Sequence, residues 1–143
     1  VSLSDESPIT SLSDDECWGL LPTSQLGRLA VSVGGSPDIF PVNYVVDGRS
    51  VVFRTAEGTK LLELTINSNV AFEADGWDEL TAWSVVVRGT ARQLERQRDI
   101  LRADELPLRP WTPTLKYIYV RISPEVVTGR RIVRGEEPER YLV

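Results

Sequence analysis

The chain has 143 residues, 16 basic and 21 acidic side chains, a net charge of −5 and 41% hydrophobic content. This is the size and composition of one globular domain with one core, and the charge balance argues against a broad electrostatic grip on nucleic acid or an anionic membrane. Histidine and methionine are both absent, which removes Ser-His-Asp and Cys-His nucleophile systems, His-ligated zinc and His- or Met-ligated haem.

No apolar run approaches the ~20 residues that span a bilayer, and the first ten residues have neither a basic nor an apolar export segment. With a single cysteine, Cys17, no internal disulfide can form, so the expected setting is the cytoplasm. Lysines number two, Lys60 and Lys116, against 14 arginines.

In chain order, Ser13 and Glu16 have capping-box spacing, with Leu12 and Cys17 placed as a hydrophobic staple. A short helix is expected there, its apolar face formed by Cys17, Leu20 and Leu21, ending at Pro22. From Gly27 the apolar pattern changes to period two: Leu29, Val31 and Val33, a turn over Gly34-Gly35-Ser36-Pro37, then a strand from Ile39 to Val46. Asp47-Gly48 between Tyr44-Val45-Val46 and Val51-Val52-Phe53 predicts a type I′ hairpin. After the loop Ala56-Glu57-Gly58, Thr59 is expected to cap a short helix carrying Leu61, Leu62, Leu64 and Ile66.

Val70 to Asp75 alternates again, Gly76 to Leu80 reads as a loop, and Ala82 to Leu94 as a long strand with a bulge at Gly89. Glu95 to Glu105 predicts a surface helix, and Pro107, Pro110 and Pro113 a loop around Trp111. Leu115 to Ser123 and Val126 to Val133 read as two last strands, the first with Tyr117 and Tyr119 on one face. The expected fold is mainly β: a barrel of six to seven antiparallel strands with two or three short peripheral helices, one domain over 1–143, with 1–11 and 135–143 as flexible termini.

One segment concentrates groups that bind anions. Arg54 and Lys60, the hydroxyls of Thr55 and Thr59 and the free N–H groups of a helix start all fall between Phe53 and Lys60, and together they suit a phosphate. The bland alternative is a capped helix with solvated charges. No metal-ligand set is apparent. Arg130 and Arg131 read as a solvated pair, and Cys17 as a buried small side chain.

The order and spacing of GRLAV (Gly27 to Val31), PVNYVVDGRSVVFRTAEGTK (Pro41 to Lys60), NSNVAFEADGW (Asn67 to Trp77) and WSVVVRGTARQL (Trp83 to Leu94) resemble the pyridoxamine 5′-phosphate oxidase-like, FMN-binding split-barrel superfamily, in particular its short flavoproteins. The likeness covers about Leu12 to Val133. It implies a homodimer with FMN at its seam. By position, Val42 and Asn43 would lie along the flavin ring, Arg54, Thr55, Thr59 and Lys60 would hold the phosphate, Trp83 and Ser84 would supply a polar edge, and Trp111 of the other subunit would cover the ring.

The true oxidases place an arginine and a lysine on the strand that here reads Ile39 to Tyr44, and both are missing, so vitamin B6 oxidation is not expected. The resemblance implies instead an FMN-dependent oxidoreductase acting on an unidentified small molecule. The rivals are a deazaflavin-dependent reductase on the same fold and a non-catalytic flavin-binding or storage protein. On this reading Lys60→Ala weakens FMN binding and Lys116→Ala, placed on a late strand, leaves it unchanged.

Overall fold

The structure is a computed structural model that describes residues 7–111 and 115–139. Pro113 and the outermost residues of the two expected flexible termini lie outside the described residues. The described chain forms seven strands: β1 (Ile9–Ser11), β2 (Leu26–Val33), β3 (Ser36–Val46), β4 (Val51–Thr55), β5 (Asn69–Trp77), β6 (Thr81–Gln93) and β7 (Ile118–Val133). Three α-helices accompany them, α1 (Asp14–Leu20), α2 (Thr59–Ile66) and α3 (Gln97–Asp104). The strands run in the order β1-β7-β4-β3-β2-β5-β6, all antiparallel, and a further pairing of β6 with β7 joins the ends into a ring with β1 attached at its side. No described helix is long and apolar enough to cross a membrane.

Alternation along the strands divides the apolar side chains between two cores. Leu29, Val31, Val42, Tyr44, Phe53, Phe72, Val85, Val87, Val120 and Ile122 fill the barrel. Val52 and Tyr119 point the other way and are roofed by Ala103 of α3 and by Leu108, with Val45, Leu94, Ile100 and Leu106 around them. Helix α3 therefore lies across the outer face of β3, β4 and β7. The Tyr119 hydroxyl ties it down by donating to Asp104 at 2.7 Å.

The capping box forms as the spacing predicts, Ser13 Oγ accepting from Glu16 N and Glu16 Oε1 from Ser13 N. The α-helix ends before Pro22, as expected, at Leu20, and Pro22 itself lies in a 3-10 turn, Leu21–Thr23, that follows directly, where a proline near the start loses no needed donor. Asp47-Gly48 does not make a two-residue type I′ turn. Asp47 and Ser50 exchange both backbone bonds, so the two-residue turn is Gly48-Arg49, one position on from the expected pair, and only its first residue, Gly48, takes positive φ, as in a type II′ turn. The two-residue turn with positive φ at both positions is instead Gly34-Gly35, between paired Val33 and Ser36.

The two expected last strands are one. Pro124 is accommodated inside β7 because its partner is Gly89, at the register shift after Arg88, where a proline without an N–H breaks no ladder bond. A side chain at 89 would also strike the Ser123 carbonyl at 2.0 Å. Tyr117 precedes β7 and is exposed, whereas Tyr119 is buried under α3. Within the expected N-terminal tail, Ile9–Ser11 pairs with β7 as β1.

Candidate functional site

The end of β4 delivers the chain into the start of α2, and there the charged groups gather. On β4, Phe53 and Thr55 face inward and Arg54 outward, a consequence of period-two alternation. Arg54 lies 5.7 Å from the Tyr119 ring centroid, a cation-π distance, and its Nε donates to the Lys116 carbonyl at 2.9 Å. Lys116 lies before β7 rather than on a strand. Its charge reaches Lys60: partial burial first, and then repulsion by Lys116, lower the Lys60 ammonium below its ordinary pKa. The Lys60 Nζ sits 5.7 Å from the Phe40 ring centroid. Arg54 thus meets the Lys116 backbone and the Lys116 charge reaches Lys60, and among the described residues no carboxylate forms an ion pair with Arg54, Lys60 or Lys116.

The start of α2 adds donors. Its N-cap is Gly58, at φ 157° and ψ −168°, a backbone region nearly reserved for glycine, and no side chain caps it. Thr59, expected as the cap, is the first helical residue and is exposed, because Gly58 takes the extended cap position. The first-turn N–H groups therefore have no side-chain acceptor. Thr55 is buried and its hydroxyl donates to the Ala56 carbonyl at 3.1 Å, so its polar atom turns along the backbone.

Beside this cluster, on the same outer face, lies Asn43. Val42 belongs to the barrel core, so only its backbone can line a surface site; Asn43, its neighbour in the alternation, faces out. Asn43 Oδ1 accepts from the Trp111 backbone N–H at 2.8 Å, and Nδ2 donates to the Gln25 carbonyl at 3.3 Å. The Trp111 indole N–H donates to Gln25 Oε1 at 3.3 Å. Trp111 is thereby fastened over its own chain's Asn43 while its ring stays 62% exposed.

Trp83 and Ser84 stand elsewhere. They pair with Arg131 and Arg130 on β7, whereas Arg54 pairs with Tyr119, a separation of roughly 35 Å along the strand at about 3.3 Å per residue. Trp83 packs its ring over Gly76 at the edge of the core, and Ser84 lines a groove with Arg88 and Arg130. Within a single chain, then, Asn43 holds Trp111, Arg54 holds the Lys116 backbone and Lys60 feels the Lys116 charge, while Trp83 and Ser84 stand apart. The contacts of Lys116 with Arg54 and of Gln25 with Asn43 and Trp111 were not expected from the sequence. The rarity of lysine was a usable signal for the first; Gln25 carried none.

Known proteins resemble this chain in sequence and in fold. Residues 13–131 match the family described as pyridoxamine 5′-phosphate oxidase. A Corynebacterium glutamicum protein provisionally assigned as a pyridoxamine 5′-phosphate oxidase is 46% identical, superposes with a TM-score of 0.85, and the match covers 92% of this chain and 98% of that one. An FAD-binding protein from Mycobacterium smegmatis is also 46% identical, with a TM-score of 0.77 over 87% of this chain and 99% of its own. A second FAD-binding protein, from Mesorhizobium loti, is 25% identical with a TM-score of 0.76 over 86% and 96%.

Proposed function

The chain belongs to the pyridoxamine 5′-phosphate oxidase family, with its split-barrel fold, and on that premise we propose that it binds a flavin by the FMN half, phosphate at the Arg54, Lys60 and Lys116 cluster and ring along Asn43 under Trp111. The observation that carries the reading is a set of cations with no ion-paired carboxylate among the described residues, beside an uncapped helix start: on a protein of net charge −5, the repulsion between Lys60 and Lys116 would be relieved by a dianion. The residues present fit the group, since a phosphate satisfies both the ammonium groups and the free N–H donors, and a flat ring suits the face that Asn43 and Trp111 frame.

A bound flavin supplies the electron-transfer chemistry; the chain's residues orient it, neutralise its phosphate and shield one edge. This supports an oxidoreductase acting on a small molecule. FMN and FAD share the half that this site addresses, and the two FAD-binding relatives favour the dinucleotide. Because Ser84 lies far from the cluster in its own chain, a contact from Ser84 to the flavin would have to come from a second copy. The exposed Trp111, Leu115 and Tyr117 beside the site are the apolar surface on which a homodimer would close.

The test is direct. Flavin titrated into stripped protein should bind with a change in flavin fluorescence, chromatography of the released cofactor should identify FMN, FAD or a deazaflavin, and anaerobic NADH or NADPH should bleach the bound chromophore. Protein that takes up none of these cofactors would end this reading. Light scattering of the loaded protein should give a dimer mass.

A further inference from the structure

A second cavity adjoins the ring face. It has a volume of about 320 Å³, at the lower end of small-molecule sites, and lies between β3, the chain just before β2 and the segment that follows α3. Asn43 belongs to both places: it lines this cavity and it carries Trp111. The other lining groups that matter are Ser24, Gln25, Val45, Leu108 and Arg109.

Among the described residues no acidic side chain lines it, although the chain has more acidic than basic side chains. Its polar groups are sorted by the bonds already made. Gln25 Oε1 is taken by the Trp111 indole and the Gln25 carbonyl by Asn43, which leaves the Gln25 amide N–H₂ as an unused donor. Ser24 Oγ is committed as a donor to the Leu26 carbonyl. Arg109 is in no ion pair among the described residues, and its planar fork matches a carboxylate in a way that an ammonium does not. In the same cavity, Val45 and Leu108 give an apolar lining for a hydrocarbon or a single ring.

We propose that this cavity binds a small organic carboxylate, about one ring in size, with the carboxylate on Arg109 and the Gln25 amide and the hydrocarbon part on Val45 and Leu108, adjacent to the flavin. The position relative to a flavin rests on the function proposed above; the carboxylate site itself does not.

Benzoate and nicotinate are suitable probes, with benzamide as the neutral isostere. In flavin-free protein followed by amide chemical shifts, both acids should move the Gln25 side-chain and Val45 resonances. Arg109→Gln should weaken them about tenfold, the size of one charge-assisted contact, and Arg109→Lys should restore only part of the loss. Benzamide should bind weakly and be indifferent to Arg109→Gln. In protein loaded with FMN the acids should still bind and shift the flavin absorption band, while flavin affinity is the same in the Arg109→Gln variant.

Failure of both acids to bind, or equal affinity in wild type and Arg109→Gln, would overturn the proposal. So would displacement of the acids by FMN, which would make the cavity the seat of the ring, or by FAD alone, which would give it to the adenylate half. A protein that bound the acids as described but no flavin would refute the flavin reading and leave the carboxylate site standing.

Discussion

Two groups of cations on this barrel are built on opposite terms. Arg28 on β2 lies between two carboxylates of β5, 3.2 Å from Glu73 and 3.0 Å from Asp75, and chiefly its hydrogen bond to Asp75 raises it above its ordinary value. Arg54, Lys60 and Lys116 have no such partners among the described residues, and Lys60 is pushed the other way. The first group is complete inside the fold and clips two strands together. On the proposed function the second is completed by an anion. A charge whose partners are present is structural; one whose neighbours are alike, beside unused helix donors, is poised for a ligand.

The comparison breaks first at Lys60. Lys60→Ala should weaken flavin binding by roughly tenfold to a hundredfold, the equivalent of about 1.5 to 3 kcal/mol for a charge-assisted contact, with the fold retained. Fluorescence titration of stripped protein measures it, and unchanged affinity would place the phosphate elsewhere. Lys116→Ala should also weaken binding, by about threefold to tenfold, because Lys116 shares the neighbourhood instead of standing on a distant strand. Equal affinity to wild type would restore the separation expected from sequence.

Thr55→Val sharpens the same boundary. With its hydroxyl already donated to Ala56, the change in flavin affinity should stay within about threefold, the size of one neutral hydrogen bond at most.

Arg28→Met tests the opposite group. Its side chain is 41% exposed, so the pair is worth roughly 0 to 1 kcal/mol, and thermal unfolding should shift slightly while flavin affinity does not move. A loss of flavin binding in Arg28→Met would erase the distinction between the two groups.

The smallest effect is on pH. Lys60 has a folded-state pKa below the ordinary 10.5, so in the window between them the unfolded chain binds more protons than the native one. Stripped protein should therefore gain stability as pH rises through that window, by comparison with Lys60→Met, which lacks the slope. Denaturant midpoints at a series of alkaline pH values would show it; bound phosphate, which favours the charged ammonium, should reduce the difference.

Local chemistry made much of the fold legible. The Ser13–Glu16 box forms, the Gly89 bulge forms, and strands arise where the period is two, since each of these is decided by residues within a few positions of one another. The turn between Val46 and Val51 differs from the type I′ expectation because Asp-Gly permits that turn without requiring it: Asp47 and Ser50 close the turn over Gly48-Arg49 by reciprocal backbone bonds and the Ser50 hydroxyl, and Arg121 holds both Asp47 and Ser50. The break expected at Pro124 was overridden by β6, whose register shift at Gly89 gives a proline its place.

For the site, the sequence by itself determined that one short segment, Arg54 to Lys60, gathers cations, hydroxyls and a glycine-led helix start, because those groups are neighbours along the chain. Only the tertiary structure decided which of them face the same space. Alternation on β3 and β4 turned Val42 and Thr55 inward and Asn43 and Arg54 outward. Ring closure through β7 carried Lys116 to Lys60 and held Ser84 a strand's length away. Contacts between groups so distant in the chain depend on pairing register and closure, which no local pattern encodes.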